Sequence, residues 1–193
     1  MRHWIRLLVL LPLGAGLLPR AARADLRREL EGGKVVTVTV PADGAQRARA
    51  VGIVTASAAQ VFAVLTDVPN YVHFAPRIVA ARVIEPQRGG GIYELVARLA
   101  WPLGETRARL KVEHGRRGGV HVARWRMVEG TLARYEGAVW VKPWGRKRSL
   151  VIYEMLLRPR LPVPDAVLNN GLRRAVEKFV LGLRQRVLAL GLK

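Results

Sequence analysis

The sequence predicts an α+β fold: a curved antiparallel sheet of about six to seven strands wrapped round one long C-terminal helix. Three observations predict it. From Arg77 onward, apolar and polar residues alternate in strand after strand, with turn signals about every 10 to 12 residues and no helix between. Ser57 to Pro76 reads as two short helices broken at Asp67-Val68-Pro69, an uncommon insertion between strands. After Pro162-Val163-Pro164 the alternation stops and a single amphipathic helix runs nearly to the end.

The elements follow in order. Met1 to Ala24 has the three parts of an export signal: Arg2 and Arg6 at the start, the uncharged apolar run Leu7 to Leu18, and the small-x-small pattern Ala22-Arg23-Ala24. Cleavage after Ala24 is expected, giving a periplasmic or secreted protein. A retained N-terminal anchor is the alternative, and the arginine within the cleavage motif favours it mildly. Residues 25–46 form an extension, with a charged lead-in from Asp25 to Gly33 and one strand, Lys34 to Val40. The main domain is expected over 47–193. It opens with the strand Arg47 to Thr55, whose Ala48, Ala50, Gly52 and Val54 share a face.

Ser57 and Gln60 form a capping box, each side chain able to bond the other's backbone N–H. The helix they start carries Val61, Phe62, Val64 and Leu65 and should stop near Asp67, since Pro69 disfavours a helical Val68. A second short helix, Asn70 to Phe74, is expected next, with Asp67 as its cap. Strands then follow at Ile78 to Ile84, Ile92 to Trp101, Glu105 to Glu113, Val120 to Val128, Thr131 to Val141 and Lys147 to Leu157. In the last five, Glu94, Arg98, Arg107, Arg109, Lys111, Arg124, Arg126, Arg134, Glu136, Arg148 and Glu154 fall on one face. Tyr93, Leu95, Leu110, Trp125, Met127, Tyr135, Val139, Tyr153 and Met155 fall on the other. The C-terminal helix offers its cover: Val167, Leu168, Leu172, Ala175, Val176, Phe179, Leu183, Val187 and Leu190 lie on one side. Gly171 and Gly182 within it are expected to allow close approach to a neighbour.

With the order strand, two short helices, antiparallel strands and long helix, the chain resembles the START-like superfamily of polyketide cyclases, dehydrases and lipid-transport proteins. Its coenzyme Q-binding members are the nearest in pattern. The resemblance rests on Ala56 to Pro76, on Tyr135-Glu-Gly-Ala-Val-Trp-Val-Lys-Pro143 and on Ser149-Leu-Val-Ile-Tyr-Glu-Met155, and it covers about residues 47–190. It implies a helix-grip fold. One departure is visible: Val139 stands where relatives often carry tryptophan, with Trp140 beside it, so pocket residues near Val139 are not carried over.

No catalytic constellation stands out. The chain has no cysteine, which removes thiolate metal sites, disulfides and a cysteine nucleophile. His73, His114 and His121 lack metal-ligand spacing, and no cofactor is expected. Gly89-Gly90-Gly91 precedes a strand, not a helix, and reads as a turn. Glu94 and Glu154 fall on the polar face, against a paired-carboxylate hydrolase. The net charge of +19 fits an anionic partner, but the arginines are spread over strands and helices. Export would also remove nucleic acid as a partner, so an anionic membrane surface is the expected macroscopic one.

What the faces do offer is a cavity between sheet and helix. Its candidate lining is Tyr71, Phe74, Tyr93, Trp101, Trp125, Met127, Tyr135, Tyr153, Met155 and Phe179. The first expectation is non-enzymatic binding or transport of a lipid or quinone-like molecule. The alternative is a cyclase or dehydratase using inward tyrosines as acids on an aromatic or polyketide-like substrate.

Overall fold

The structure, a computed structural model, describes residues 20–42, 45–99 and 103–192. Residues 1–19 of the expected export signal, the turn at Asp43-Gly44 and the candidate Trp101 lie outside the described residues.

The strands are β1 (Val36–Ala42), β2 (Ala45–Val54), β3 (Ile78–Gln87), β4 (Gly90–Arg98), β5 (Glu105–Arg117), β6 (Val120–Gly130), β7 (Arg134–Pro143) and β8 (Ser149–Arg158). They form one sheet in the order β1-β2-β8-β7-β6-β5-β4-β3. Every neighbouring pair is antiparallel. The sheet has eight strands, more than the six to seven expected, because β1 of the N-terminal extension pairs with β2 and joins it. Only the β2–β8 join crosses the chain order; the other strands meander, as short polar turns require.

Helix α2 (Ala58–Thr66) starts as the capping box dictates. The Ser57 Oγ accepts from the Gln60 N–H at 3.3 Å, and the Gln60 Oε1 accepts from the Ser57 N–H at 3.0 Å. It ends at Asp67, and a short 3-10 helix, Val68–His73, follows with Pro69 in its first turn. Asp67 sits at the cap position, but its carboxylate bonds no backbone N–H there; it accepts from the Asn70 side-chain amide at 2.6 Å. The exposed side chain finds another side chain, and the Asp67 carbonyl takes the Asn70 N–H instead.

Helix α3 (Asp165–Ala189) covers the concave face. Leu172, Val176, Phe179, Val180, Leu183 and Val187 are buried against Ala48, Ala50, Val54, Val151 and Tyr153. The expected stripe differs at its ends. Val167 and Leu190 are 62% and 46% exposed, while Val180, absent from the stripe, is fully buried. The cause is local. The C-terminal half of α3 lies on β1 and β2, so its apolar arc is widened by Val180, which a Cβ on Gly52 would meet. Arg184 then pins this half, donating to the Ile53 carbonyl at 2.6 Å and the Gly33 carbonyl at 2.7 Å.

The glycines of α3 differ in role. A Cβ on Gly182 would collide with the carbonyl oxygen of Phe74, so this glycine does permit close approach. A Cβ on Gly171 would meet nothing, because Gly171 faces open space. That position corrects the reading of both glycines as packing contacts.

The charged lead-in is a helix, α1 (Arg20–Glu31). Leu30 is buried with Val51, Ile53 and Leu150, and Leu26 packs on the same cluster beside Val36, Trp144 and Ile152. This explains why β2 and β8 carry apolar residues on the outer face, where the other strands carry arginine.

Elsewhere the outer face is polar but not simply solvated. Glu94 and Glu154 are each 4% exposed, lying beneath arginines from neighbouring strands. Arg49 donates to Glu154 at 2.7 Å, Arg82 to Glu94 at 2.9 Å, and Arg109 to Glu129 at 2.7 Å. Burial raises the Glu94 pKa, but the bond and charge of Arg82, the bond from Arg109 and the charge of Arg107 outweigh it and hold the carboxyl below its ordinary value.

Candidate ligand-binding cavity

The two halves of α3 meet the sheet differently. The C-terminal half packs directly on it. The N-terminal half stands away, and the space beneath is a cavity of about 580 Å³, within the range of small-molecule sites. Its floor is the inner face of the sheet: Leu95 and Ala97 on β4, Thr106 and Ala108 on β5, Tyr135 on β7, and Tyr153, Met155 and Leu157 on β8. Small residues at Ala97, Thr106 and Ala108 keep the floor low. The roof is Leu168, Leu172, Ala175 and Phe179 of α3. The turn from Ala75 to Ile78 closes one side, with Leu99, Leu103 and Leu132 on connecting segments.

Of the candidates named from the sequence, Tyr71, Tyr135, Tyr153, Met155 and Phe179 line this cavity. Phe74, Tyr93, Trp125 and Met127 do not. They face the same side of the sheet but are used in packing. Phe74 lies against Tyr71 and Phe179, with ring centroids 5.1 and 5.6 Å apart. Tyr93 and Met127 belong to a second cluster with Val68, Leu95 and Leu110. Trp125 stacks on Tyr153 at 5.4 Å, filling space that Gly137 leaves; a Cβ there would strike the indole.

Two groups of the missed lining residues are instructive. Leu95, Ala97, Thr106, Ala108 and Leu157 share the inner parity and were legible as inner, though not as unfilled. Arg77, Asn170, Arg174 and Lys178 at the opening carry no apolar signal, and only the packing of α3 brings them there.

The tyrosine hydroxyls have partners. The Tyr71 O–H donates to the Leu65 carbonyl at 2.7 Å, and that of Tyr93 to the Gly90 carbonyl at 3.2 Å. Tyr135 and Tyr153 lie close enough for each to shift the other's pKa. Two O–H groups can share at most one bond between them, which leaves one O–H able to donate to a guest. Burial pushes the Tyr135 phenol up to about 12, against a lowering contribution from Tyr153. Burial, with the neighbouring tyrosines, pushes Tyr153 and Tyr71 well above the ordinary phenol value. These groups are neutral hydrogen-bond donors at any physiological pH.

The β5–β6 hairpin also sets two histidines beside α2. His114 on β5 and His121 on β6 flank Phe62 of α2, with centroids at 5.8 and 4.9 Å. Burial lowers the pKa of both, and Arg116 adds to the effect at His121. Among the described residues no three metal-ligating side chains converge.

Comparison with known proteins is consistent with this architecture. The family model described as polyketide cyclase / dehydrase and lipid transport matches residues 54–184. No curated protein matches the sequence. Among solved structures, the STAR-related lipid transfer protein from Xanthomonas axonopodis superimposes with a TM-score of 0.70 at 16% identity, over 81% of this chain and 99% of that one. Human StAR-related lipid transfer protein 5 gives 0.69 at 13% identity, over 89% and 93%. The Zhui aromatase/cyclase from Streptomyces sp. R1128 gives 0.61 at 17% identity, over 76% and 98%. At such identities the likeness establishes the helix-grip fold, and the family match establishes kinship. The chain belongs to the polyketide cyclase / dehydrase and lipid transport family of the START-like superfamily.

Proposed function

We propose that the protein binds and carries a lipid or quinone-like molecule in this cavity, without chemistry upon it, and does so outside the cytoplasm. The observation that carries the reading is the cavity itself: about 580 Å³ walled by Leu95, Met155, Leu157, Leu168 and Phe179, with no carboxylate among its described lining residues. Burial of apolar ligand surface supplies the affinity, at about 25 cal/mol per Å². The spare O–H of the Tyr135–Tyr153 pair suits a ligand carbonyl, such as a quinone oxygen. Action outside the cytoplasm is supported by the export signal read from Met1 to Ala24. The residues that anchor α1, Leu26, Leu30 and Arg27 over Trp144, all follow Ala24 and would survive cleavage there.

Native mass spectrometry of the purified protein, before and after delipidation and exposure to ubiquinone and phospholipid, tests this. Retention of an exchangeable hydrophobic molecule is expected, and its loss in Ala97→Phe, which fills the floor. The absence of any exchangeable hydrophobic ligand overturns the reading.

A cyclase or dehydratase reading is favoured by one observation, the hydroxyl pair facing an enclosed space. It requires a proton acceptor as well, and the described lining has neither carboxylate nor imidazole. Turnover of a polyketide-like substrate that is lost in Tyr135→Phe would establish it.

A further inference from the structure

The arginines of this protein are not all alike. On the outer face Arg47, Arg49, Arg82, Arg109 and Arg134 are in ion pairs with Glu94, Glu129, Glu136 and Glu154. Arg107, Arg124 and Arg126 on that face have no ion pair among the described residues, so what sets the cations at the cavity opening apart is that they border an apolar chamber. Arg77, Arg174 and Lys178 all line it, and no ion pair to any of them occurs among the described residues. The Arg77 side chain makes one long bond, donating to the Arg98 carbonyl at 3.5 Å, while its backbone carbonyl accepts from the Arg98 N–H at 2.8 Å.

Their placement follows from two backbone features. Asn170, Arg174, Lys178 and Gly182 are successive members of one i, i+4 row on α3. Gly182 abuts the Phe74 carbonyl, so this row runs along the segment Phe74 to Arg77. The cations of α3 therefore form one lip of the opening and Arg77 the other. Arg77 is held at a φ of 66°, a left-handed conformation that strains a non-glycine residue. The turn thus keeps a strained arginine at the entrance where glycine would be relaxed.

Resting on the carrier reading above, we infer that the ligand is an amphiphile with an anionic head, a carboxylate or a phosphate. Its head is held at the opening by Arg77, Arg174 and Lys178, with Asn170 as a further donor, and its apolar tail fills the cavity. Uncompensated cations at the rim of an apolar chamber match that polarity end for end. The rim side chains are exposed, so their charge-assisted bonds to the head add to, and do not replace, the affinity from burying the tail.

The test measures binding to the full-length, delipidated protein by native mass spectrometry and fluorescent-lipid displacement. The probes are oleate and oleoyl lysophosphatidate against oleyl alcohol and methyl oleate. Three variants are compared: Arg174→Gln/Lys178→Gln, Arg77→Gln, and Arg124→Gln/Arg126→Gln on the outer face. The last pair removes the same charge far from the opening. About tenfold tighter binding of one or both anionic probes is expected. That preference should vanish in the double lip variant and fall in Arg77→Gln, whereas the outer-face variant should keep both the preference and the parent's neutral-probe binding. Preference for oleate or for lysophosphatidate distinguishes the carboxylate from the phosphate head. Equal binding of neutral and anionic probes, or equal loss of preference in the outer-face variant, overturns this inference and leaves the carrier reading standing. Binding of none of the probes, together with no exchangeable ubiquinone or phospholipid, overturns both.

Discussion

The ring of Tyr153 on β8 lies against that of Phe179 on α3, centroids 4.0 Å apart and planes inclined by 15°. Phe179 also meets Tyr71 at 5.8 Å and Phe74 at 5.6 Å. The contact marks where α3 leaves the sheet. Beyond it toward the C-terminus helix and sheet are in contact; before it they enclose the cavity. Phe179→Ala should therefore lose about 3–5 kcal/mol of stability. The urea midpoint should fall with the slope unchanged, and the variant should accept bulkier guests.

Gly182 and Gly171 should respond to alanine with opposite signs. Both gain helix propensity, by about 1 kcal/mol. At Gly182 the new methyl strikes the backbone carbonyl of Phe74, which cannot yield without moving the 3-10 helix, so Gly182→Ala should lower the melting temperature. At Gly171 it enters open space, so Gly171→Ala should raise it. Thermal unfolding followed by circular dichroism reads both.

Arg49 and Glu154 face each other across β2 and β8 and are 5% and 4% exposed. Removing one partner strands a buried charge. Glu154→Ala should cost about 3–5 kcal/mol. The double variant Arg49→Met/Glu154→Met should recover most of that loss, and chemical denaturation of the parent and the two variants checks it.

His114 and His121 give a pH dependence of known sign. Burial holds both pKa values below the ordinary 6.5, so the unfolded chain takes up protons first as pH falls. Stability attributable to them is full above 6.5 and declines as pH drops from there through the lowered folded values. His114→Gln/His121→Gln should flatten the melting temperature over that interval. A profile as steep as that of the parent would contradict it.

Much of this was legible in sequence, for identifiable reasons. The capping box at Ser57 and Gln60 is a local pattern whose partners are three residues apart, so no tertiary information is needed. The inner parity of Tyr135, Tyr153 and Met155 follows from strand alternation alone. The lead-in helix α1 was not legible, because Arg27, Arg28, Glu29 and Glu31 mask the few apolar residues, Leu26 and Leu30, that hold it down. The burial of Glu154 was hidden for a related reason: a charge on a polar face looks solvated until the register sets arginine opposite it.

By itself the sequence determined which elements form, which face of each strand turns inward and which family the pattern resembles. These depend on periodicity and on contacts close along the chain. The tertiary structure alone decided which inner residues pack and which line open space. Parity states the side of the sheet a residue faces but not the distance to the layer above it. That distance is fixed by Gly182 against Phe74 and by Phe179 on Tyr153, contacts between segments remote in sequence. Through them the same row of α3 sets Arg174 and Lys178 at the opening of an apolar chamber.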